Sequence, residues 1–165
     1  MIVNTKKPSV ILVMGVSGCG KTTVGKSLAK RLKGSFLDAD DLHPAANIKK
    51  LSRGEPLNDE DRWPWLDAVA DSTQSHVEPH PLVLACSALK EFYRDRLQLG
   101  ESPIIFLNGP REIIEDRLSS RCGHFMSSKL LDSQLEILEA PQNAINILIN
   151  ESPDRIVDQI VRALR

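Results

Sequence analysis

A glycine-rich segment behind a short apolar run constrains this fold more than any other feature of the chain. The run Val10–Met14 is followed by the pattern G-x-x-x-x-G-K-[ST], formed by Gly15, Val16, Ser17, Gly18, Cys19, Gly20, Lys21 and Thr22. A strand that enters such a turn and continues as a helix directs several backbone N–H groups at one point, where the helix dipole also favours negative charge. The segment therefore predicts a phosphate-binding turn. A glycine turn without a ligand is the alternative.

The side chains at the end of this segment extend the prediction to a nucleotide. Lys21 can reach β- and γ-phosphates, and the Thr22 hydroxyl can complete a Mg²⁺ shell of phosphate oxygens and water. Thr23 follows in the same helical turn. We therefore expect residues 15–23 to bind ATP with Mg²⁺.

Length and composition favour one globular domain of ordinary size over residues 1–165. The 165 residues are 41% hydrophobic and 26% charged, and their net charge of −1 lacks the basic excess of nucleic-acid binders. No apolar stretch approaches a membrane span or the core of a secretory signal. Three scattered cysteines fit neither a disulfide framework nor a metal site. These features predict a cytoplasmic protein with reduced thiols, bound to neither nucleic acid nor membrane.

Apolar runs alternate with helical periodicity, which predicts βαβ units around a parallel sheet covered on both faces. The predicted strands are Val10 to Met14, Ser35 to Asp38, Leu82 to Cys86, Ile104 to Leu107 and Ile145 to Ile149. The predicted helices are Lys21 to Leu32, Glu60 to His76, Ala88 to Leu97, Pro110 to Ser120, Lys129 to Leu138 and Pro153 to Leu164. Polar excursions at 39–58 and 121–128 do not fit as plain connections, and such insertions are usually binding segments or lids.

Two carboxylates follow the second predicted strand. In an extended segment Asp38 and Asp40 point the same way, towards the phosphate loop. One can hold Mg²⁺ through water, and the other can accept a proton from a substrate hydroxyl, as in-line phosphoryl transfer requires. Alternatively, these acids cap a following helix. His43 is either a ligand for a polyol or only a loop residue.

Two pairs of basic residues have the i, i+4 spacing of one helix face. Lys90 and Arg94 suit an anionic acceptor, with a solvated face as the alternative. Arg117 and Arg121 can fold over the nucleotide and offset charge on the transferred group, with a helix-dipole role as the alternative. His124, in the second excursion, can help to exclude water from the site.

Cys19 lies in the phosphate loop near a helix N-terminus and Lys21, which predicts oxidation-sensitive activity. A small residue tolerated in the loop is the simpler interpretation. The strings Asp-x-x-Gly and Asn-Lys-x-Asp of regulatory GTPases are missing from the sequence, and the third apolar run ends in Cys86-Ser87 instead of the Asp-Glu of a motor ATPase. The remaining class of phosphate-loop protein is a small kinase. The loop does not determine whether its acceptor is a nucleoside monophosphate, shikimate or a sugar acid.

Several further strings together resemble the gluconokinase family, in order from about residue 10 to 141. The specific strings are Leu42-His43-Pro44, Pro56-Leu57-Asn58-Asp59-Glu60-Asp61-Arg62 and Cys86-Ser87-Ala88-Leu89-Lys90. The resemblance also includes Asn47, Arg121-x-Gly123-His124-Phe125-Met126 and Ser133-Gln134. The resemblance implies ATP-dependent phosphorylation of D-gluconate on its 6-hydroxyl. A shikimate-type or nucleoside-monophosphate kinase, or a non-catalytic nucleotide-binding module, is the alternative.

The resemblance also implies a three-layer P-loop kinase fold with a five-stranded parallel sheet of the nucleoside-monophosphate-kinase type. It implies a substrate-binding segment at about 39–80, a lid at about 121–128 and a homodimer. By the same resemblance, catalysis falls to Lys21, Asp40 and Arg121, with Asp38 near Mg²⁺ and Arg117 beside the ATP phosphates. Gluconate would be held by Asp40, His43, Lys90, Arg94 and His124, with Arg62 as a weaker candidate.

Overall fold

Five parallel strands form the central sheet, in the spatial order β2-β3-β1-β4-β5. The computed structural model describes residues 10–120 and 128–165. In β1 and β3 every residue is buried, as expected for parallel strands covered on both faces. The strands are β1 (Val10–Met14), β2 (Ser35–Asp38), β3 (Leu82–Ala85), β4 (Ile104–Asn108) and β5 (Ile145–Leu148).

Helices cover both faces of the sheet, so the fold has three layers. They are α1 (Lys21–Leu32), α2 (Ala45–Ser52), α3 (Asp59–Gln74), α4 (Glu91–Arg96), α5 (Arg111–Ser119), α6 (Ser128–Ile137) and α7 (Pro153–Ala163), with a 3₁₀ turn at Ala39–Leu42. On one face Leu28 of α1 and Ile160 of α7 pack on the sheet. On the other, Trp65 of α3 and Tyr93 of α4 do so. None of the helices within the described residues has the length and apolarity needed to cross a membrane.

Glycines shape the turn between β1 and α1, as two of them show. Gly20 precedes α1 with φ of +99°, in the left-handed region that favours glycine. A Cβ at Gly15 would lie 2.6 Å from Cys19 Sγ and 2.7 Å from the Leu107 carbonyl oxygen. Both glycines are therefore needed for β1 to enter the helix through so tight a turn.

The prediction of a five-stranded parallel sheet is confirmed, with strand ends that differ by at most one residue. Two helices differ from the prediction. No helix was predicted within the 39–58 excursion, where α2 lies, and α4 begins at Glu91 instead of Ala88 because Ala88 has a φ of +40° and Lys90 is extended. The predicted lid at 121–128 lies outside the described residues except for Ser128, the first residue of α6.

Candidate active site

The phosphate loop opens into a cavity of about 300 Å³ at the carboxyl ends of the strands. The loop, the 3₁₀ turn, α2, α3 and α6 all contribute to its walls. Among the described residues that line it, Asp40 is the only carboxylate, and Lys21 and Arg62 are the only long cationic side chains. The cavity therefore joins a phosphate-binding end to a polar acceptor end.

The loop has the donors that a polyphosphate needs. Lys21 lies at the start of α1, and its Nζ donates to the Val16 carbonyl at 3.1 Å, across the loop. Val16 is buried, whereas Thr23 is exposed in the first helical turn. N–H groups of a first turn have no intrahelical acceptor, so they are available to an anion.

Thr22 and Asp38 lie together beside the loop. The Thr22 hydroxyl donates to Asp38 Oδ2 at 2.7 Å, although the two residues lie on different elements. The other carboxylate oxygen of Asp38 accepts from the Asp40 N–H at 3.0 Å and caps the 3₁₀ turn. The extended geometry predicted for Asp38 to Asp40 is therefore wrong, and the capping alternative holds for Asp38. Asp40 still reaches the cavity, because the turn presents it there.

His43 forms part of the cavity wall beside Asp40. Its ring stacks on Trp65 with 4.2 Å between centroids and 15° between planes, and its Nε2 lies 4.0 Å from Asp40 Oδ1. Burial, with a smaller contribution from the charge of Arg62, lowers the pKa of His43 to about 4. The ring is therefore neutral near pH 7.

Arg62 lies at the acceptor end and is buried, with only 9% of its surface exposed. Its Nη1 donates to the Leu57 carbonyl at 2.5 Å and to Tyr93 Oη at 3.2 Å. Tyr93 donates in turn to Asp59, and this hydrogen bond holds the pKa of Asp59 below its usual range. The network fixes the guanidinium at the cavity wall.

The two cations predicted for the acceptor from their helical spacing do not line this cavity. Lys90 precedes α4, and its Nζ pairs with Asp59 Oδ1 at 3.2 Å. Arg94 donates to the carbonyls of Ala88, Leu89 and Glu139. Lys90 and Arg94 do not form one helix face directed at the acceptor, and the contacts of Arg94 fix local backbone instead.

Arg117 and the phosphate loop are in direct contact. Its Nη1 donates to the Cys19 carbonyl at 3.1 Å and its Nη2 to the Ile149 carbonyl at 2.7 Å. The guanidinium thus bridges the loop and the end of β5. Arg121 and His124, the other residues expected on the lid side, lie outside the described residues.

Burial makes the cysteine at the loop an unsuitable redox sensor. Cys19 is 1% exposed and packs in the core beneath the loop. Oxidants attack exposed thiolates first, so the structure favours the simpler interpretation of Cys19 as a tolerated small residue. Burial also raises the pKa of the Cys86 thiol to about 12.

Gln134 of α6 is a site residue to which sequence reasoning gave no role. Its Oε1 accepts from the Ser17 N–H of the phosphate loop at 2.8 Å, although 117 positions separate the two residues. The same wall includes Ser133. The Ser133-Gln134 string was a signal of family resemblance, but only the fold places it against the loop.

Together, the parallel sheet, the phosphate loop and a cavity with one carboxylate define a P-loop kinase of small molecules. A family model described as shikimate kinase matches residues 17–165. The gluconokinase of Gluconobacter oxydans is 44% identical over 94% of this chain and 91% of its own length. The thermosensitive gluconokinase of Escherichia coli is 43% identical over 93% of this chain and 86% of its own. The chain belongs to the gluconokinase family, within the wider group that the shikimate kinase model describes.

A solved structure extends the likeness to the fold. The gluconokinase of Sinorhizobium meliloti superposes with a TM-score of 0.86 and 40% identity, covering 96% of this chain and 93% of that protein.

Proposed function

We propose that this protein transfers the γ-phosphoryl group of ATP to the 6-hydroxyl of D-gluconate, giving 6-phosphogluconate and ADP. Identity of 44% to a gluconokinase over 94% of the chain is the observation that carries the choice of acceptor. The cavity supports it, because phosphate donors and a carboxylate meet there.

ATP places its phosphates on the loop, where backbone N–H groups and Lys21 Nζ meet their charge. The hydroxyl oxygen of gluconate attacks the γ-phosphorus, and the bond between that phosphorus and the β–γ bridging oxygen breaks. ADP leaves with the electron pair. Asp40 orients the hydroxyl and accepts its proton. Arg117, and Arg121 with His124 from the lid, complete the nucleotide side and exclude water.

Thr22 and Asp38 would hold Mg²⁺, Asp38 through water. Their hydroxyl and carboxylate oxygens are the hard ligands that this ion prefers, and they already lie 2.7 Å apart. The ion supplies neutralisation of charge on the β- and γ-phosphates.

Arg62 is the cation best placed for the gluconate carboxylate. It lines the cavity, its guanidinium is fixed by Leu57 and Tyr93, and a planar fork suits a carboxylate. Lys90 pairs with Asp59. Its positive charge also favours a carboxylate at the acceptor end of the cavity. Arg94 has no role at the acceptor in this proposal.

A coupled assay of ADP release tests the function. Wild-type protein is given ATP and Mg²⁺ with gluconate, shikimate or a nucleoside monophosphate, and the Lys21→Ala variant is the control for contaminating kinases. Release that depends on gluconate is expected. Release of ADP with shikimate and not with gluconate would favour the function of the matched family model, and no release with any of the acceptors would favour a non-catalytic binding module.

Assembly and location follow from the same proposal. The family resemblance supports a homodimer, which light scattering of the purified protein tests directly. Dependence on ATP supports a cytoplasmic location, as do Cys19 and Cys86, which are buried free thiols of the part of the chain that the structure describes.

A further inference from the structure

Asn47 is a buried polar residue of α2, with 4% of its surface exposed. Its Nδ2 lies 2.9 Å from the Asp61 carbonyl oxygen and 3.2 Å from Nδ1 of His43. Asn47 itself does not line the cavity, whereas His43 does. The asparagine can therefore act on the site only through the histidine or through the position of α2.

The two contacts determine where the protons lie. A backbone carbonyl can only accept a hydrogen bond, so the atom of Asn47 that faces Asp61 has to be the amide nitrogen. The same nitrogen faces His43, so its second hydrogen points at Nδ1. A ring nitrogen that accepts carries no proton, and the proton of a neutral imidazole then lies on Nε2.

The protonated nitrogen faces the reacting end of the cavity. His43 Nε2 lies 4.0 Å from Asp40 Oδ1, and stacking on Trp65 holds the ring plane. A hydroxyl oxygen between these groups would meet a donor on one side and a carboxylate acceptor on the other. The opposite tautomer would present two acceptors there.

We propose that Asn47 is a positioning residue that fixes His43 as the Nε2–H tautomer, so that His43 donates a hydrogen bond to a hydroxyl of the acceptor beside Asp40. A polyol fits this arrangement, because a hydroxyl can accept from His43 and donate to Asp40. The identity of that polyol as gluconate rests on the proposed function, but the tautomer does not.

Long-range ¹H–¹⁵N correlation spectra of the ¹⁵N-histidine-labelled protein test the tautomer without any acceptor. The His43 signals are assigned by their loss in His43→Gln. We expect wild-type Nδ1 at the downfield position of an unprotonated nitrogen and Nε2 at the position of a protonated one. In Asn47→Asp the new carboxylate accepts from Nδ1, which should become protonated. Protonated Nδ1 in the wild type would overturn the proposal.

Lys50→Met is the matched control, because Lys50 also ties α2 to Asp61, through Nζ at 2.6 Å from Oδ2, without touching His43. Its His43 signals should match the wild type. A tautomer change in this variant equal to that in Asn47→Asp would show that the position of α2, and not Asn47, sets the proton. If Asn47→Asp does not fold, Asn47→Ala replaces it, with averaging between the two tautomers expected and an unchanged spectrum overturning the proposal.

A double-mutant cycle tests the effect on the acceptor. Asn47→Ala should raise the KM for gluconate about tenfold, with a smaller change in kcat. In a His43→Gln background the glutamine amide still donates a hydrogen bond, and it has no tautomer for Asn47 to fix. There Asn47→Ala should raise the KM for gluconate by less than about twofold. Equal effects in both backgrounds would show that Asn47 only holds α2 in place. Failure of gluconate as acceptor would overturn the proposed function and leave the spectra unaffected.

Discussion

Asp40 and Asp41 are adjacent carboxylates of one 3₁₀ turn, and only Asp40 lines the cavity. We expect Asp40→Asn to lower kcat by about 10²–10⁴, because the acceptor hydroxyl loses its proton acceptor. ATP affinity should stay within about threefold, since the loop that binds phosphate is unchanged. Initial rates and ATP titration measure the two effects. Asp41→Asn is the control, and wild-type kcat in Asp40→Asn would show that Asp40 is structural.

Arg62 gives a second prediction for single residues. Arg62→Lys should raise the KM for gluconate about 10- to 100-fold, because an ammonium cannot reproduce the paired contacts of a guanidinium. The KM for ATP should change little. Arg96→Lys, at an exposed arginine that pairs with Asp67, is the matched control. Equal KM values for gluconate in the two variants would contradict the proposed role.

Sequence reasoning succeeds where local pattern determines the role and fails where tertiary packing does. The phosphate loop was predictable because its glycines and Lys21 work within one turn. The position of Arg62 at the cavity could not be predicted, because it depends on the packing of α3 against Tyr93. The contacts of Arg94 could not be predicted either, because its guanidinium donates to three backbone carbonyls that only the fold brings together.

Among the helices, the start of α3 links stability to the site. Asn58 caps this helix by accepting from the Asp61 N–H at 2.8 Å, and Asp61 accepts in return from the Asn58 N–H at 2.9 Å. We expect Asn58→Ala to lower the free energy of unfolding by about 1 kcal/mol, measured by urea denaturation. Asn58→Asp keeps a side chain that can cap the helix, so its free energy of unfolding should decrease much less. Equal losses would mean that the cap does not stabilise α3.

Strands were easier to predict than the short helices around the site. Four of the five strands are nearly continuous apolar runs, which made them recognisable, and β1 and β3 are fully buried as such runs predict. Strand β5 is an exception, because its Asn146 and Leu148 are exposed. Helix α2 was not predicted, because a polar sequence after Pro44 is typical of a loop. In the folded protein, contacts with Asp61 stabilise it as a helix. Helix α4 was predicted too long because nothing local marks the left-handed φ at Ala88.

At the level of the whole molecule, parallel topology assembles the site from distant segments. The phosphate loop follows β1, Asp38 ends β2 and Ser87 lies shortly after β3, so all three emerge at the same edge of the sheet. Ligands in open α/β sheets bind at this edge. The alternation of apolar runs was enough to predict that convergence, but not which side chains face the cavity.

Global stability should depend on pH through His43. Its pKa falls from 6.5 to about 4 in the folded protein, so between these values the unfolded chain binds more protons. The free energy of unfolding should therefore decrease by about 1–3 kcal/mol as pH falls through this window. Urea denaturation at several pH values measures it. His43→Gln should flatten the dependence and His80→Gln, at an exposed histidine, should not. Equal slopes in both variants would contradict the prediction.

The product of the reaction tests the function of the whole molecule most directly. Uniformly ¹³C-labelled gluconate is incubated with ATP, Mg²⁺ and the wild-type protein, and the product is examined by ¹³C and ³¹P NMR. We predict a phosphate monoester whose phosphorus couples to C6, with an equal amount of ADP. No phosphoester, or coupling of phosphorus to any carbon other than C6 and its neighbour C5, would contradict the proposed reaction.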